Sequence, residues 1–148
     1  MNIFQNIKDA FFQVTFFIMF IFCIYSVINI FSYYDPINSC YIRVEGDVVS
    51  GNRKTVYDAI KLIKKEDKKT YKVLCQNVER ISENECSTAH GEFTEDDKIA
   101  WEQDGCYVRG SKVILIKPEK IDSESIIRKR VETIKKYALY SEKFWKEN

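Results

Sequence analysis

The side chains best suited to chemistry in this sequence are four cysteines and a single histidine, all beyond residue 39. They are Cys40, Cys75, Cys86, Cys106 and His90. An even number of cysteines in a small domain is typical of disulfide bonds formed in an oxidising compartment. Of the three possible pairings we favour Cys40–Cys75 with Cys86–Cys106, because the second pair brackets one loop-and-strand unit. The sequence therefore predicts two disulfide bonds outside the cytoplasm.

Two other chemistries could use the same residues. Cys86 and His90 could act as a thiolate and its base, but a disulfide at Cys86 would remove the nucleophile. Structural zinc sites usually contain Cys-x-x-Cys pairs, and this sequence has none. We expect no catalytic residue, no metal ion and no cofactor. Free structural thiols remain the alternative to the disulfides.

Acidic side chains are concentrated just after His90, in a stretch (84–97) without apolar periodicity. They are Glu92, Glu95, Asp96 and Asp97. Their spacing differs from the Asp-x-Asp-x-Asp-Gly pattern of calcium-binding loops. We interpret the stretch as a solvated loop whose four carboxylates could form a binding surface.

Charge is also unevenly distributed over longer segments. Residues 52–72 contain eight basic and three acidic side chains, whereas residues 79–104 contain two basic and nine acidic ones. Neutralisation of one segment by the other within the fold is the simpler interpretation, since surface ion pairs are common and weak. Contact with an oppositely charged partner or with lipid headgroups is the alternative.

The chain as a whole has 148 residues and a formal net charge of +1. This length allows one modest domain with a short appendage and excludes a large multidomain enzyme. A charge so close to zero argues against a protein that binds nucleic acid through bulk electrostatics. The sequence has no phosphate-binding glycine loop, nucleophile elbow or dinucleotide fingerprint, and this favours a role other than catalysis.

The N-terminal segment differs from the rest of the chain. Residues 10–34 carry no charge, and eight of the ten phenylalanines lie within the first 34 residues. As a helix rising about 1.5 Å per residue, this stretch would cross the roughly 30 Å hydrocarbon core of a bilayer. A cleaved signal peptide is the rival interpretation, but the apolar run is longer than usual and no Ala-x-Ala-like site follows it. We predict a transmembrane signal anchor at 10–34, in contact with the lipid bilayer.

The predicted topology is that of a single-pass membrane protein. It has a short cytoplasmic tail (1–9), the anchor, a linker (35–39) and an extracytoplasmic domain (40–148). The positive charges beside the anchor are too few to decide its orientation. We therefore infer the orientation from the predicted disulfides.

The spacing of apolar residues predicts the elements of the hydrophilic part. Apolar residues recur at helical intervals in 54–66 and 70–82, which indicates two consecutive helices. The run 112–117 is continuously apolar between its two terminal lysines, so we expect it at the centre of a small antiparallel sheet or hairpin. An apolar stripe after Asp122 and Ser123 predicts a long C-terminal amphipathic helix. Shorter strands are predicted at 40–45, 99–101 and 106–108. The fold class is α+β, preceded by an N-terminal transmembrane helix.

The order of these elements resembles small zincin-type metallopeptidase-like domains of bacterial envelopes over residues 54–140. The strand pair that carries the resemblance reads Gly105-Cys106-Tyr107-Val108-Arg109-Gly110-Ser111-Lys112-Val113-Ile114-Leu115-Ile116. In that family a His-Glu-x-x-His helix follows such a strand. The corresponding stretch here is Ile126-Ile127-Arg128-Lys129-Arg130-Val131-Glu132, with no histidine. The resemblance therefore implies a domain without zinc-peptidase chemistry.

Together these patterns predict a membrane-anchored extracytoplasmic domain with a non-catalytic binding or structural role at the cell envelope. We expect a protein partner in the envelope and no nucleic acid. A degenerate hydrolase-like domain and a subunit of a membrane complex are the alternatives.

Overall fold

The computed structural model describes residues 3–47, 49–86, 98–102, 104–108 and 111–147. The chain divides into two compact units, Met1–Phe31 and Ser32–Asn148. The described part of the first unit is the helix α1, and all the other elements belong to the second unit. In chain order the elements are α1 (Ile3–Phe31), β1 (Ser32–Asp35), β2 (Cys40–Glu45), α2 (Arg53–Glu66), α3 (Lys68–Asn77), β3 (Arg80–Glu83), β4 (Lys98–Glu102), β5 (Gly105–Val108), β6 (Val113–Ile116) and α4 (Glu124–Glu147).

The N-terminal segment corrects the prediction of a transmembrane helix at 10–34. In the part of the chain that the structure describes, no helix has both the length and the apolar character needed to cross a membrane. The predicted span also differs from the helix that forms. Helix α1 begins at Ile3 and therefore includes Lys8 and Asp9, and the end of the uncharged stretch, from Ser32, belongs to β1. The predicted signal anchor and cytoplasmic tail depended on that span.

Within the described residues of Ser32–Asn148, the sheet has six strands in the order β1-β2-β3-β6-β5-β4. The central strands β2, β3 and β6 are parallel, and the other neighbours are antiparallel. The predicted antiparallel sheet is therefore wrong at its centre. The physical reason is that α2 and α3 connect β2 to β3, and a helical crossover returns the chain to the same end of the sheet.

Strand β6 is buried on both faces of the sheet, as its continuous apolar run predicted. Side chains alternate along a strand. Ile114 and Ile116 belong to the main core, to which α2, α3 and α4 contribute. Val113 and Leu115 belong to a separate buried cluster, whose other members are Cys86, Cys106 and Val108. The helices thus cover one face, and the second disulfide lies on the other.

The two predicted helices form, but the second is shorter than expected. Helix α3 ends at Asn77, because Val78 adopts extended backbone angles (φ −121°, ψ 123°), and Ile81 lies in β3. The C-terminal helix α4 begins after Ser123, whose Oγ accepts a hydrogen bond from the Ile126 backbone N–H at 3.3 Å. Its buried stripe contains Val131, Ile134, Tyr137, Ala138 and Ser141.

The linker predicted at 35–39 is an ordered part of the second unit. Strand β1 pairs with β2, with Tyr34 opposite Tyr41 and Asp35 opposite Cys40. A short 3-10 turn, Pro36–Asn38, joins the two strands. Ser39 ends the turn with a positive φ of 50°. This hairpin places Asn38 and Ser39 beside the helical layer, where they form part of the site described next.

Candidate anion-binding cavity

The four cysteines form the two disulfide bonds that we favoured. Cys40–Cys75 joins the first residue of β2 to the last turn of α3, and Cys86–Cys106 joins the segment after β3 to β5. Disulfides of this kind form and persist in oxidising environments. They indicate an extracytoplasmic or secreted domain. Because Cys86 is bonded, it has no thiolate to pair with His90, which lies outside the described residues.

The predicted acidic surface also lies outside the residues that the structure describes. This applies to all four of its carboxylates: Glu92, Glu95, Asp96 and Asp97. In the described parts of the chain, no group of three or more His, Cys, Asp or Glu side chains could hold a metal ion. Among the described residues, the site with the clearest binding geometry is instead a cavity beside the basic segment 52–72.

A buried carboxylate anchors this cavity. Asp35 is 5% exposed. Its Oδ2 accepts hydrogen bonds from Lys64 Nζ, Tyr71 OH and Asn38 Nδ2, each at 2.7 Å. Tyr33 OH lies 3.1 Å from Tyr71 OH. The network connects β1 and the turn that follows it to both α2 and α3, and so fixes the hairpin against the helices.

The network determines which groups are charged. Burial alone would raise the pKa of Asp35, but the hydrogen bonds from Lys64, Tyr71 and Asn38 outweigh it and hold that pKa well below its usual range. The same contact with Asp35 raises the pKa of Lys64. Burial, together with the bonds to Tyr33 and Asp35, raises the pKa of Tyr71. At neutral pH the carboxylate is therefore ionised, the amine is charged and the phenol keeps its proton.

The cavity has a volume of about 520 Å³. Asn38 and Ser39 form one wall, and the other wall consists of side chains from the consecutive helices α2 and α3. These are Lys64, Lys68, Tyr71, Lys72, Cys75 and Gln76. Small-molecule sites typically enclose about 300–1,000 Å³. The cavity therefore has the size of a ligand site and a lining with three lysines.

The charge of the lining is not balanced. Lys64 is paired with Asp35. Among the described residues, Lys68 and Lys72 have no acidic partner and no carboxylate lines the cavity. Elsewhere in the basic segment, Lys61 pairs with Asp58 at 3.5 Å, and Lys54 pairs with Asp58 at 3.3 Å and with Asp122 at 2.6 Å. Lys65 and Lys69 also have no acidic partner among the described residues, but they do not line the cavity, so part of the uncompensated positive charge lies at the cavity.

Asp67 sets the relative position of the two lysine-bearing helices. Its backbone N–H donates to Ile63 O at 2.8 Å, which ends α2. Its carboxylate accepts from Thr70 N at 3.0 Å, which caps the start of α3, and from Lys135 Nζ of α4 at 2.7 Å. The hydrogen bond from Lys135, followed by those from Thr70, lowers the pKa of Asp67 to about 2. One aspartate therefore ends α2, begins α3 and ties both to α4.

A second polar cluster lies at the other end of α2 and is internal. Glu83 and Arg130 form a buried ion pair, and Glu83 Oε1 also accepts from the Asn52 backbone N–H at 2.9 Å. Gly46 and Gly51 approach the same carboxylate so closely that a Cβ on either would lie 2.9 or 2.6 Å from Glu83 Oε2. The N-terminus of a helix attracts anions. Here the chain's own Glu83 occupies that position, so this loop holds the fold together.

Comparisons of the chain with protein-family models, curated proteins and solved structures find no match. The resemblance to zincin-type envelope domains therefore stays a prediction.

The sequence contained part of the signal for this cavity. The basic segment 52–72 was recognised, and Lys64, Lys68 and Lys72 follow one another at intervals of four residues. Asn38, Ser39 and Asp35 were missed as site residues, because the uncharged stretch before them concealed strand β1. Only the hairpin that β1 forms with β2 places them against the helices.

Proposed function

We propose that Ser32–Asn148 is a non-catalytic binding domain that functions outside the cytoplasm and holds an anionic ligand in the lysine-lined cavity. The observation that carries the proposal is the pair Lys68 and Lys72, which line a cavity of about 520 Å³ without an acidic partner among the described residues. Charges concentrated in a concave site attract ligands of the opposite sign.

The protonation states support binding over catalysis. A lysine nucleophile requires a lowered pKa, whereas the contact with Asp35 raises the pKa of Lys64. A general base requires a pKa near the working pH, whereas the pKa of Asp35 is held far below it. The network therefore acts as a fixed arrangement of charges and hydrogen-bond donors.

The rigidity of the walls also supports this function. The disulfide Cys40–Cys75 covalently joins the start of β2 to α3, and Cys75 itself lines the cavity. The Asp35 network joins the hairpin to α2. A site whose walls are held in place before the ligand arrives loses less conformational entropy on binding. Both walls of this cavity are fixed in that way.

The test is a titration of the ¹⁵N-labelled full chain, with its disulfides intact, followed by nuclear magnetic resonance. The probe is sodium sulfate at constant ionic strength. We expect saturable shifts of the side-chain amides of Asn38 and Gln76 and of the Ser39 backbone N–H. Asn84, after β3, is the matched reporter outside the cavity and should not shift. Shifts that do not saturate, or that affect Asn84 equally, would show that the cavity is not an anion site.

A further inference from the structure

The charge, the lysine spacing and the volume of the cavity also indicate the chemical class of its ligand. Within the proposed function, on which this inference rests, we infer that the ligand carries a doubly charged phosphate monoester group, bound between Lys68 and Lys72. Asp35 compensates the charge of Lys64. Two positive charges remain, so a doubly negative group balances the lining, whereas a carboxylate would leave one lysine uncompensated.

The positions of the two lysines favour a single compact anion. Lys68 and Lys72 lie four residues apart in α3. Residues at this spacing are neighbours on one helix face, with Cβ atoms about 5–6 Å apart. Both flexible ammonium groups can therefore reach the oxygens of one tetrahedral group.

The cations of the lining suit a phosphate group. The fork-shaped guanidinium of arginine matches carboxylate and phosphate alike, whereas lysine contacts phosphate as a point charge. Among the described residues, the cavity lining has three lysines and no arginine. Asn38, Ser39 and Gln76 add polar groups that can hydrogen-bond to oxygen. The combination suits a group with several equivalent oxygens.

The volume favours an ester over the free ion. A cavity of about 520 Å³ is much larger than one phosphate ion. Besides the lysines, the lining includes Tyr71 and the disulfide-bonded Cys75. The organic part of a monoester has a surface to contact there. We therefore expect glycerol 3-phosphate to bind more tightly than inorganic phosphate.

The test compares three probes on the full chain with intact disulfides: glycerol 3-phosphate, sulfate and the singly charged methanesulfonate. Sulfate should bind about tenfold more tightly than methanesulfonate, since it meets both lysines. The second pKa of a phosphate monoester is about 6. The affinity for glycerol 3-phosphate should therefore fall about fivefold from pH 7.5 to pH 5, since the monoanion that replaces the dianion still binds weakly, while that for sulfate stays constant.

The sulfate arm controls for titration of the protein. The groups that face the ligand are Lys64, Lys68 and Lys72, with Asp35 and Tyr71 behind them. Asp35, Lys64 and Tyr71 keep one protonation state over this pH range, because their pKa values are shifted away from it. A fall for glycerol 3-phosphate alone therefore reports the charge of the ligand.

Two variants make the result specific. Replacing one lysine, Lys68→Gln or Lys72→Gln, should reduce the preference for sulfate over methanesulfonate to less than about twofold, because one cation remains for either probe. If methanesulfonate binds the unmodified chain as tightly as sulfate, the inference is wrong although the cavity binds anions. If none of the three probes binds, the proposed function itself is wrong.

The same phosphate group could be free or carried by a lipid. Vesicles of phosphatidylcholine containing phosphatidic acid distinguish the two sources, with pure phosphatidylcholine vesicles as the control for α1. Competition between glycerol 3-phosphate and the phosphatidic acid vesicles supports the shared chemistry in either form. Binding to phosphatidic acid vesicles that Lys68→Gln leaves unchanged would contradict a site in this cavity.

Discussion

The ammonium of Lys64 and the carboxylate of Asp35 lie 2.7 Å apart, joining the last turn of α2 to the end of β1. The carboxylate is 6% exposed and the lysine side chain 41% exposed, so the pair is buried on the β1 side only. Because the carboxylate is buried, the contact holds the hairpin in place. Because the lysine is partly exposed, its side chain still lines the cavity.

The two phenols of the network should differ in importance. Tyr71→Phe removes a hydrogen bond to the Asp35 carboxylate, and bonds to charged groups contribute about 1.5–3 kcal/mol. Tyr33→Phe removes only its contact with Tyr71, a bond between neutral groups that contributes about 1 kcal/mol. The measurement is the free energy of unfolding in urea at neutral pH. Equal losses for the two variants would show that the charge of Asp35 does not strengthen the network.

Removal of either disulfide should lower the stability of the domain, but removal of only one of them should weaken anion binding. Cys40 and Cys75 are separated by 35 residues, and Cys86 and Cys106 by 20. Loop-entropy estimates predict losses of about 4 kcal/mol for Cys40→Ser with Cys75→Ser and about 3 kcal/mol for Cys86→Ser with Cys106→Ser. Only the first bond borders the cavity, so only the first variant should also weaken sulfate binding. Equal weakening in both would contradict a specific role of Cys40–Cys75 in fixing the cavity.

Acid should destabilise the domain through Asp67 and Asp35. The pKa of Asp67 in the folded chain is about 2, below the unfolded value of about 3.9. The unfolded state therefore binds more protons in this window, and stability is present above about pH 4 and lost as the pH falls toward 2. Asp67→Asn keeps a capping side chain but removes this titration. Its unfolding free energy should fall less steeply over that window, and parallel curves would contradict the prediction.

Removal of one partner of the buried ion pair Glu83–Arg130 should strongly lower the free energy of unfolding. Arg130→Met leaves an unpaired carboxylate in the interior, which costs about 3–5 kcal/mol. Adding Glu83→Gln should recover part of the loss, because it removes that charge. Arg128→Met is the matched control on the same helix, since its ion pair with Glu124 is exposed and contributes less than about 0.5 kcal/mol. Urea unfolding measures all three, and a harmless Arg130→Met would contradict the account.

Local patterns in the sequence predicted the elements whose burial is simple. The run at 112–117 indicated a strand buried on both faces, and β6 is that strand. The helical spacing in 54–66 indicated α2. The disulfide pairing followed from the way Cys86 and Cys106 bracket one unit. In each case the deciding residues are close together in the sequence or share one period.

The features that the sequence did not predict depend on contacts between distant residues. Strand β1 directly follows α1, and its first three residues (32–34) continue the uncharged stretch without a break in composition. Parallel pairing of β2 with β3 depends on the path through two helices, which apolar spacing does not encode. Asn38 and Gln76 line the same cavity, and only the assembled hairpin and helices bring these two residues to it.

The most direct test of the account is the affinity of the full chain for sulfate in three forms: unmodified, Lys68→Gln with Lys72→Gln, and Lys117→Gln with Lys120→Gln. Both variants remove two charges from exposed lysines, but Lys117 and Lys120 lie outside the cavity. A local site predicts a loss of at least about tenfold for the first variant and less than about twofold for the second. Equal losses in the two variants, or no loss in either, would contradict an anion site at Lys68 and Lys72.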